Sequence, residues 1–133
     1  MTTQAIKIGP ADHGRRMSLA DFEHAEVQEG RLYELGRGII IVSDVPGPRH
    51  LMQLIAIRRQ LHAYEIAQPG RIYGIAGGKE CKIVLTALES ERHPDLAIYK
   101  TPLQAGEEDV WAVWIPEIVI ERRFPRSREL SHL

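Results

Sequence analysis

The sequence predicts an α/β domain, a mixed β-sheet flanked by helices. Residues 50–67, HLMQLIAIRRQLHAYEIA, place apolar side chains at helical spacing and stop at Pro69-Gly70. Several short runs rich in Val, Ile and aromatic residues read as strands. The order of the elements is helix, hairpin, long helix, then strands, which suits a sheet with helices packed on it.

Residues 1–14 are polar and carry Gly9, Pro10 and Gly14, so a loose arm is expected there, with one domain over residues 15–133. A short helix follows. Ser18 is a good N-cap, Asp21 supplies a variant of the capping box, and Leu19, Phe22 and Ala25 or Glu26 share one face. Gly30 can end it. RLYELGRGIIIVS (31–43) reads as a β-hairpin turning at Gly36-Arg37-Gly38. Pro46, Gly47 and Pro48 make a loop before the long helix, whose inner face runs through Leu51, Leu54, Ile55, Arg58, Leu61 and Ala63 or Tyr64. Strands are then expected in RIYGIAGG, CKIVLTAL and HPDLAIYK, with one or two more in VWAVWIPEIVIERRF around the break at Pro116.

Composition narrows the function. A chain of 133 residues with 44% apolar and 26% charged side chains can bury one core. Its net charge of −1 gives no global basic field, which counts against a protein that coats DNA but leaves room for an enzyme using a local patch. The one cysteine, Cys81, cannot form a disulfide within the chain and reads as a packed strand residue; a reducing, cytoplasmic setting is expected. No run approaches the roughly 20 apolar residues of a membrane span, and the N-terminus has no signal-peptide pattern.

Several motifs fail on inspection. GIAGGKE (74–80) lacks the spacing of a phosphate loop and ends in a glutamate that would repel phosphate, so a hairpin turn is expected. The six histidines form no H-x-x-x-H pair and there is no second cysteine, which argues against structural zinc; His50 and His62 read as ordinary polar positions. Ser43 and Ser90 lack the G-x-S-x-G context of a hydrolase.

Three carboxylates remain. Glu34 lies inside the first hairpin, Asp95 follows Pro94 at the mouth of an apolar strand, and Glu121 closes the run EIVI. For each acid alone, the ordinary reading is a solvated edge-strand position. Together they suit a hard divalent cation such as Mg²⁺, which takes a few carboxylate oxygens and keeps several waters. Neighbouring strands about 4.8 Å apart can bring distant acids to one ion.

Pro94-Asp95 with Glu121-Arg122-Arg123 resembles the PD-(D/E)XK signature of restriction-endonuclease-like nucleases. MSLADF (17–22), RLYELGRG (31–38), Pro48-Arg49-His50, HPDLAI (93–98), IVIE (118–121) and PRSR (125–128) are similar in order to the Uma-two family of that superfamily. The resemblance covers about residues 16–130. It implies a restriction-endonuclease-like core and Mg²⁺-assisted (or Mn²⁺-assisted) hydrolysis of phosphodiester bonds in DNA. It also implies a homodimer. Glu34, Asp95 and Glu121 take the places of the metal-binding acids, with Asp95 and Glu121 also catalytic.

The chain departs from the family pattern after Glu121. No lysine follows Lys100, Arg123 stands at the lysine position, and the chain stops before the family's C-terminal helix and strand. Arginine stays charged at any working pH, so Arg123, Arg126 or Arg128 can stabilise developing charge but cannot act as a base. Arg49, Arg58 and Arg59 on the long helix, with Arg126 and Arg128, are the expected nucleic-acid contacts. Two other readings stay open. One is an inactive nuclease-fold domain that binds nucleic acid or protein, or dimerises. The other is a structural protein that uses Trp111, Trp114, Ile118 and Ile120 as a dimer face.

Overall fold

A computed structural model describes residues 5–122. Two short strands, β1 (Lys7–Ile8) and β2 (Glu26–Val27), pair in parallel, with helix α1 (Leu19–Glu23) between them in sequence. The hairpin β3 (Arg31–Gly36) and β4 (Ile39–Asp44) leads to α2 (Pro48–Ala67). Then come β5 (Gly74–Ala76), β6 (Ile83–Leu85), β7 (Ser90–Arg92), β8 (Leu96–Tyr99) and β9 (Ile118–Ile120). The chain thus mixes helices with strands, as expected, but the strands lie in three sheets instead of one mixed sheet. The order is β4-β3-β7-β6 in one antiparallel sheet and β5-β8-β9 in another, and the only parallel pair among the described residues is β1-β2. Pro94 marks the crossing between the two larger sheets. It has no N–H to give to a ladder, so the chain leaves the first sheet after β7 and enters the second as β8.

The expected arm is packed in its described part. Ile8 is only 2% exposed and sits in the main core, and the Gly14 N–H donates to the Ile40 carbonyl at 2.8 Å. Burial of Ile8 and its pairing with Val27 of β2 hold it in place. α1 begins where Ser18 was expected to cap it: Ser18 Oγ accepts the Asp21 N–H at 3.1 Å. A second acceptor, Glu89 Oε2, takes the Leu19 N–H at 2.9 Å. The β3–β4 turn has positive φ at both central residues, Arg37 (50°) and Gly38 (78°). That backbone matches the twist of a two-residue hairpin. The strained Arg37 is held by its N–H to Ser90 Oγ, and Gly38 by its N–H to the Glu89 carbonyl, each 2.8 Å.

The main core joins Ile8, Leu19, Phe22, Tyr33, Leu35, Ile40 and Val84. A second, smaller core holds Cys81, Ala97 and Tyr99. Trp111, in a 3₁₀ turn over Trp111–Val113, packs against both. Trp114 stacks on Tyr99 with ring centroids 3.7 Å apart. Both indoles therefore turn inward, and the dimer face proposed through Trp111 and Trp114 loses its aromatic half. Ile118 and Val119 stay exposed.

α2 is the surprise. Its single buried residue is His50; Leu54, Ile55, Arg58 and Leu61 are partly covered, while Leu51 (58% exposed) and Tyr64 lie outward. The expected inner face is thus rotated, toward His50 and away from Leu51. The Gly74–Glu80 stretch is likewise not a hairpin turn. β5 ends at Ala76, and a 3₁₀ turn over Gly78–Glu80 carries the chain toward the other sheet.

Candidate functional site

The crossing from β7 to β8, His93-Pro94-Asp95, lies between the two larger sheets and is pinned from several elements. From β3, the Glu34 carboxylate reaches across: Oε2 accepts the His93 N–H at 2.6 Å and lies 3.3 Å from Arg92 Nε. Glu34 can do so because Tyr33 and Leu35, its neighbours on the strand, turn into the core and leave it on the opposite face. From the 3₁₀ turn, the Gly78 N–H donates to the Pro94 carbonyl at 2.9 Å. Gly77 lies so close to the Asp95 carbonyl that a Cβ there would fall 2.1 Å from its oxygen.

The His93 ring completes the clamp. Nδ1 donates to the Cys81 carbonyl and Nε2 to Glu91 Oε2, each 3.1 Å. A carbonyl and a carboxylate can only accept, so both bonds require the imidazolium. The Glu91 hydrogen bond accordingly raises the His93 pKa; burial opposes this, and the Cys81 carbonyl with the Glu91 and Glu34 charges adds to it. Burial alone would push the Glu91 carboxyl up, but its bond to His93 and the charges of Lys82, 3.8 Å away, and His93 bring it below its ordinary value. The buried Cys81 thiol is pushed up by desolvation, which suits a packing role and not a nucleophile.

Asp95 is held by both oxygens. His50 Nε2 donates to Oδ1 at 3.1 Å, and the Arg122 N–H donates to Oδ2 at 2.6 Å. Pro48 starts α2 behind Gly47, and its first turn brings His50, 5% exposed, under the carboxylate. Asp95 itself remains 23% exposed. β8 and β9 are antiparallel with Leu96 opposite Ile120 as the outermost pair. Asp95 and Glu121 lie one residue beyond that pair, at the same end of the two strands. Glu121 is exposed.

The expected site residues therefore divide. Asp95 and Glu121 each lie one residue beyond the same end of the β8–β9 ladder. Glu34 comes to the turn just before Asp95, with its carboxylate engaged by His93 and Arg92. Among the described residues, no group of three or more His, Cys, Asp or Glu side chains is gathered as a metal site. Arg49 and Arg59 are exposed. Arg58 is committed to the fold, bonded through Nη2 to the Ile75 carbonyl at 3.3 Å and to Glu80 Oε2 at 3.1 Å. Arg123, Arg126 and Arg128 lie outside the described residues.

Sequence reasoning missed His50, taken as an ordinary polar position. A signal existed: position 50 shares a helix face with Leu54 and Leu61, so its side chain had to turn inward. It also missed the role of His93 and Glu91, a pair two residues apart on a bent strand end that periodicity does not flag. Among the described residues, no helix is long and apolar enough to cross a membrane. Comparison with protein-family models, with curated proteins and with solved structures returns no match, so the functional reading rests on this chain's own residues.

Proposed function

We propose that the chain is a Mg²⁺-dependent (or Mn²⁺-dependent) endonuclease domain with a restriction-endonuclease-like core, hydrolysing phosphodiester bonds in DNA. The observation that carries this reading is the placement of Asp95 and Glu121 at the same end of β8 and β9, with Asp95 oriented by His50 and the Arg122 N–H. The donor chemistry fits the cation. Each Asp95 oxygen can accept two hydrogen bonds, and His50 and the Arg122 N–H give one to each, while the side chain stays 23% exposed. Mg²⁺ commonly takes one or two carboxylates with water and substrate phosphate. When bound, such an ion would neutralise charge on the scissile phosphate and ease deprotonation of water.

The chain's own residues do the rest. Asp95 and Glu121 would hold the cation, and His50, buried beneath, keeps the Asp95 carboxylate in one orientation. The exposed Arg49 and Arg59 meet backbone phosphates, which positions a duplex without reading its sequence. Arg123, Arg126 and Arg128 enter from the sequence, as charge stabilisers beyond the second acid.

The test is a Mn²⁺ titration by calorimetry beside a plasmid-nicking assay in Mg²⁺ and Mn²⁺. Wild type binds and nicks; Asp95→Asn and Glu121→Gln each lose affinity at least about tenfold, as expected for removing one of two anionic ligands. A folded wild-type protein that takes no divalent ion and leaves DNA intact would replace this reading with the second. That one, a non-catalytic nuclease fold serving dimerisation, is favoured by the exposed apolar residues Leu51, Met52 and Ile66 on α2. Sedimentation analysis of the purified chain reads it directly.

A further inference from the structure

The Glu34 carboxylate grips the turn that presents Asp95 through one of its oxygens. Its Oε2 accepts the His93 N–H at 2.6 Å and forms an ion pair with Arg92, 3.3 Å from Nε. β3 is a rigid base for such a contact: every residue from Arg31 to Gly36 pairs with β4, and Leu35 pairs with Glu91 of β7 on the other side. The backbone it grips has few ways to move. Pro94 fixes one dihedral, the Pro94 carbonyl accepts the Gly78 N–H, and the Asp95 carbonyl lies against Gly77. A shift at the His93 nitrogen therefore passes to Asp95.

We propose that Glu34 is a positioning residue of the site, acting on Asp95 through the backbone of His93, and not a ligand of the cation. This rests on the nuclease reading for what Asp95 does, but the mechanical link between Glu34 and Asp95 stands apart from it. Ligand and brace make opposite demands on the side chain. A ligand to Mg²⁺ needs the negative charge. A brace needs only an acceptor of the right length, which a glutamine amide oxygen also supplies.

The experiment uses the full chain with Glu34→Gln, Glu34→Ala and Asp95→Asn. Two readouts are taken: the Mn²⁺ Kd, and amide hydrogen exchange at His93 and Arg122, corrected for each variant's global stability. The Arg122 N–H is the reporter of Asp95 because it bonds Oδ2 at 2.6 Å. Glu34→Gln is expected to keep the Mn²⁺ Kd within about 3-fold of wild type and exchange at both amides near wild type. Glu34→Ala should weaken Mn²⁺ about 10-fold or more, the usual range for losing an outer-shell partner, and speed exchange at both amides. The proposal is overturned if Glu34→Gln weakens Mn²⁺ as much as Asp95→Asn, or if exchange at Arg122 in Glu34→Ala matches wild type. A wild-type protein that takes no Mn²⁺ removes the nuclease reading, and the exchange data then decide the brace alone.

Discussion

Gly77→Ala is the sharpest test of how Asp95 is held. Gly77 has φ −172° and ψ 163°, extended backbone that alanine adopts freely, so any penalty comes from space alone. The new methyl would lie 2.1 Å from the Asp95 oxygen, 3.1 Å from its carbonyl carbon and 3.2 Å from Leu96 Cδ2. The oxygen contact is short by roughly 1 Å, and the obstacle is backbone, which cannot swing aside like a side-chain tip. Overpacking of this kind costs about 1–3 kcal/mol. Separating the two segments also strains the Gly78–Pro94 hydrogen bond, worth about 1 kcal/mol. Against this, alanine restricts the unfolded chain and returns about 0.4–1 kcal/mol. The net is a destabilisation of about 2 kcal/mol, or a Tm lower by about 8 °C for a domain of this size. Urea unfolding followed by tryptophan fluorescence measures it, with the slope unchanged and the midpoint lowered by about 1–2 M. Gly74→Ala is the internal control. It lies three residues earlier, in β5, and a Cβ there meets nothing within 4 Å. It should be neutral or slightly stabilising. If Gly77→Ala proves as stable as Gly74→Ala, the 77–80 turn does not pin Asp95 and the rigid presentation of that carboxylate is wrong.

Other expectations follow from contacts described above. Ser18→Ala removes the oxygen that accepts the Asp21 N–H and should cost about 1 kcal/mol in urea midpoint analysis, eased by the second cap from Glu89. The His93–Glu91 pair makes stability depend on pH. His93, raised from 6.5, contributes fully below 6.5 and loses that contribution as the pH rises through its folded value. Glu91, lowered from 4.5, contributes above 4.5 and loses it as the pH falls through its folded value. Both contributions are whole between these limits, so urea midpoints measured in EDTA should decline above pH 6.5, and His93→Asn should flatten that decline. Arg58→Ala should reduce stability by under about 1 kcal/mol, since its partner Glu80 is largely exposed. Arg59→Ala should leave stability alone and reduce the salt slope of DNA binding by about one; an unchanged slope would remove Arg59 from the interface.

Local chemistry made much of the fold readable. Ser18 announced α1, the Gly36-Arg37-Gly38 turn announced the hairpin, and Pro69-Gly70 announced the end of α2. Each is a short-range effect complete within a few residues. The division of the strands into separate sheets was not readable, because pairing is decided between segments far apart in sequence. Leu35 opposite Glu91 and Leu96 opposite Ile120 are such choices. β7, only three residues long and carrying Glu91 and Arg92, offered no alternation to read. The edge of the α2 face was misread because polar and apolar residues are mixed all round the helix, so periodicity gave no sharp direction. At the site, the sequence singled out Asp95 and Glu121, and the register of β8 and β9 sets both just beyond the same strand end. What Glu34 touches was not legible, since that depends on the next strand's backbone.

Trp111 borders the main core on one side and the Cys81–Tyr99 core on the other. A shared wall means neither compartment can empty without exposing the same indole. The two halves are thereby tied into one cooperative melt, although no β-ladder among the described residues runs through both.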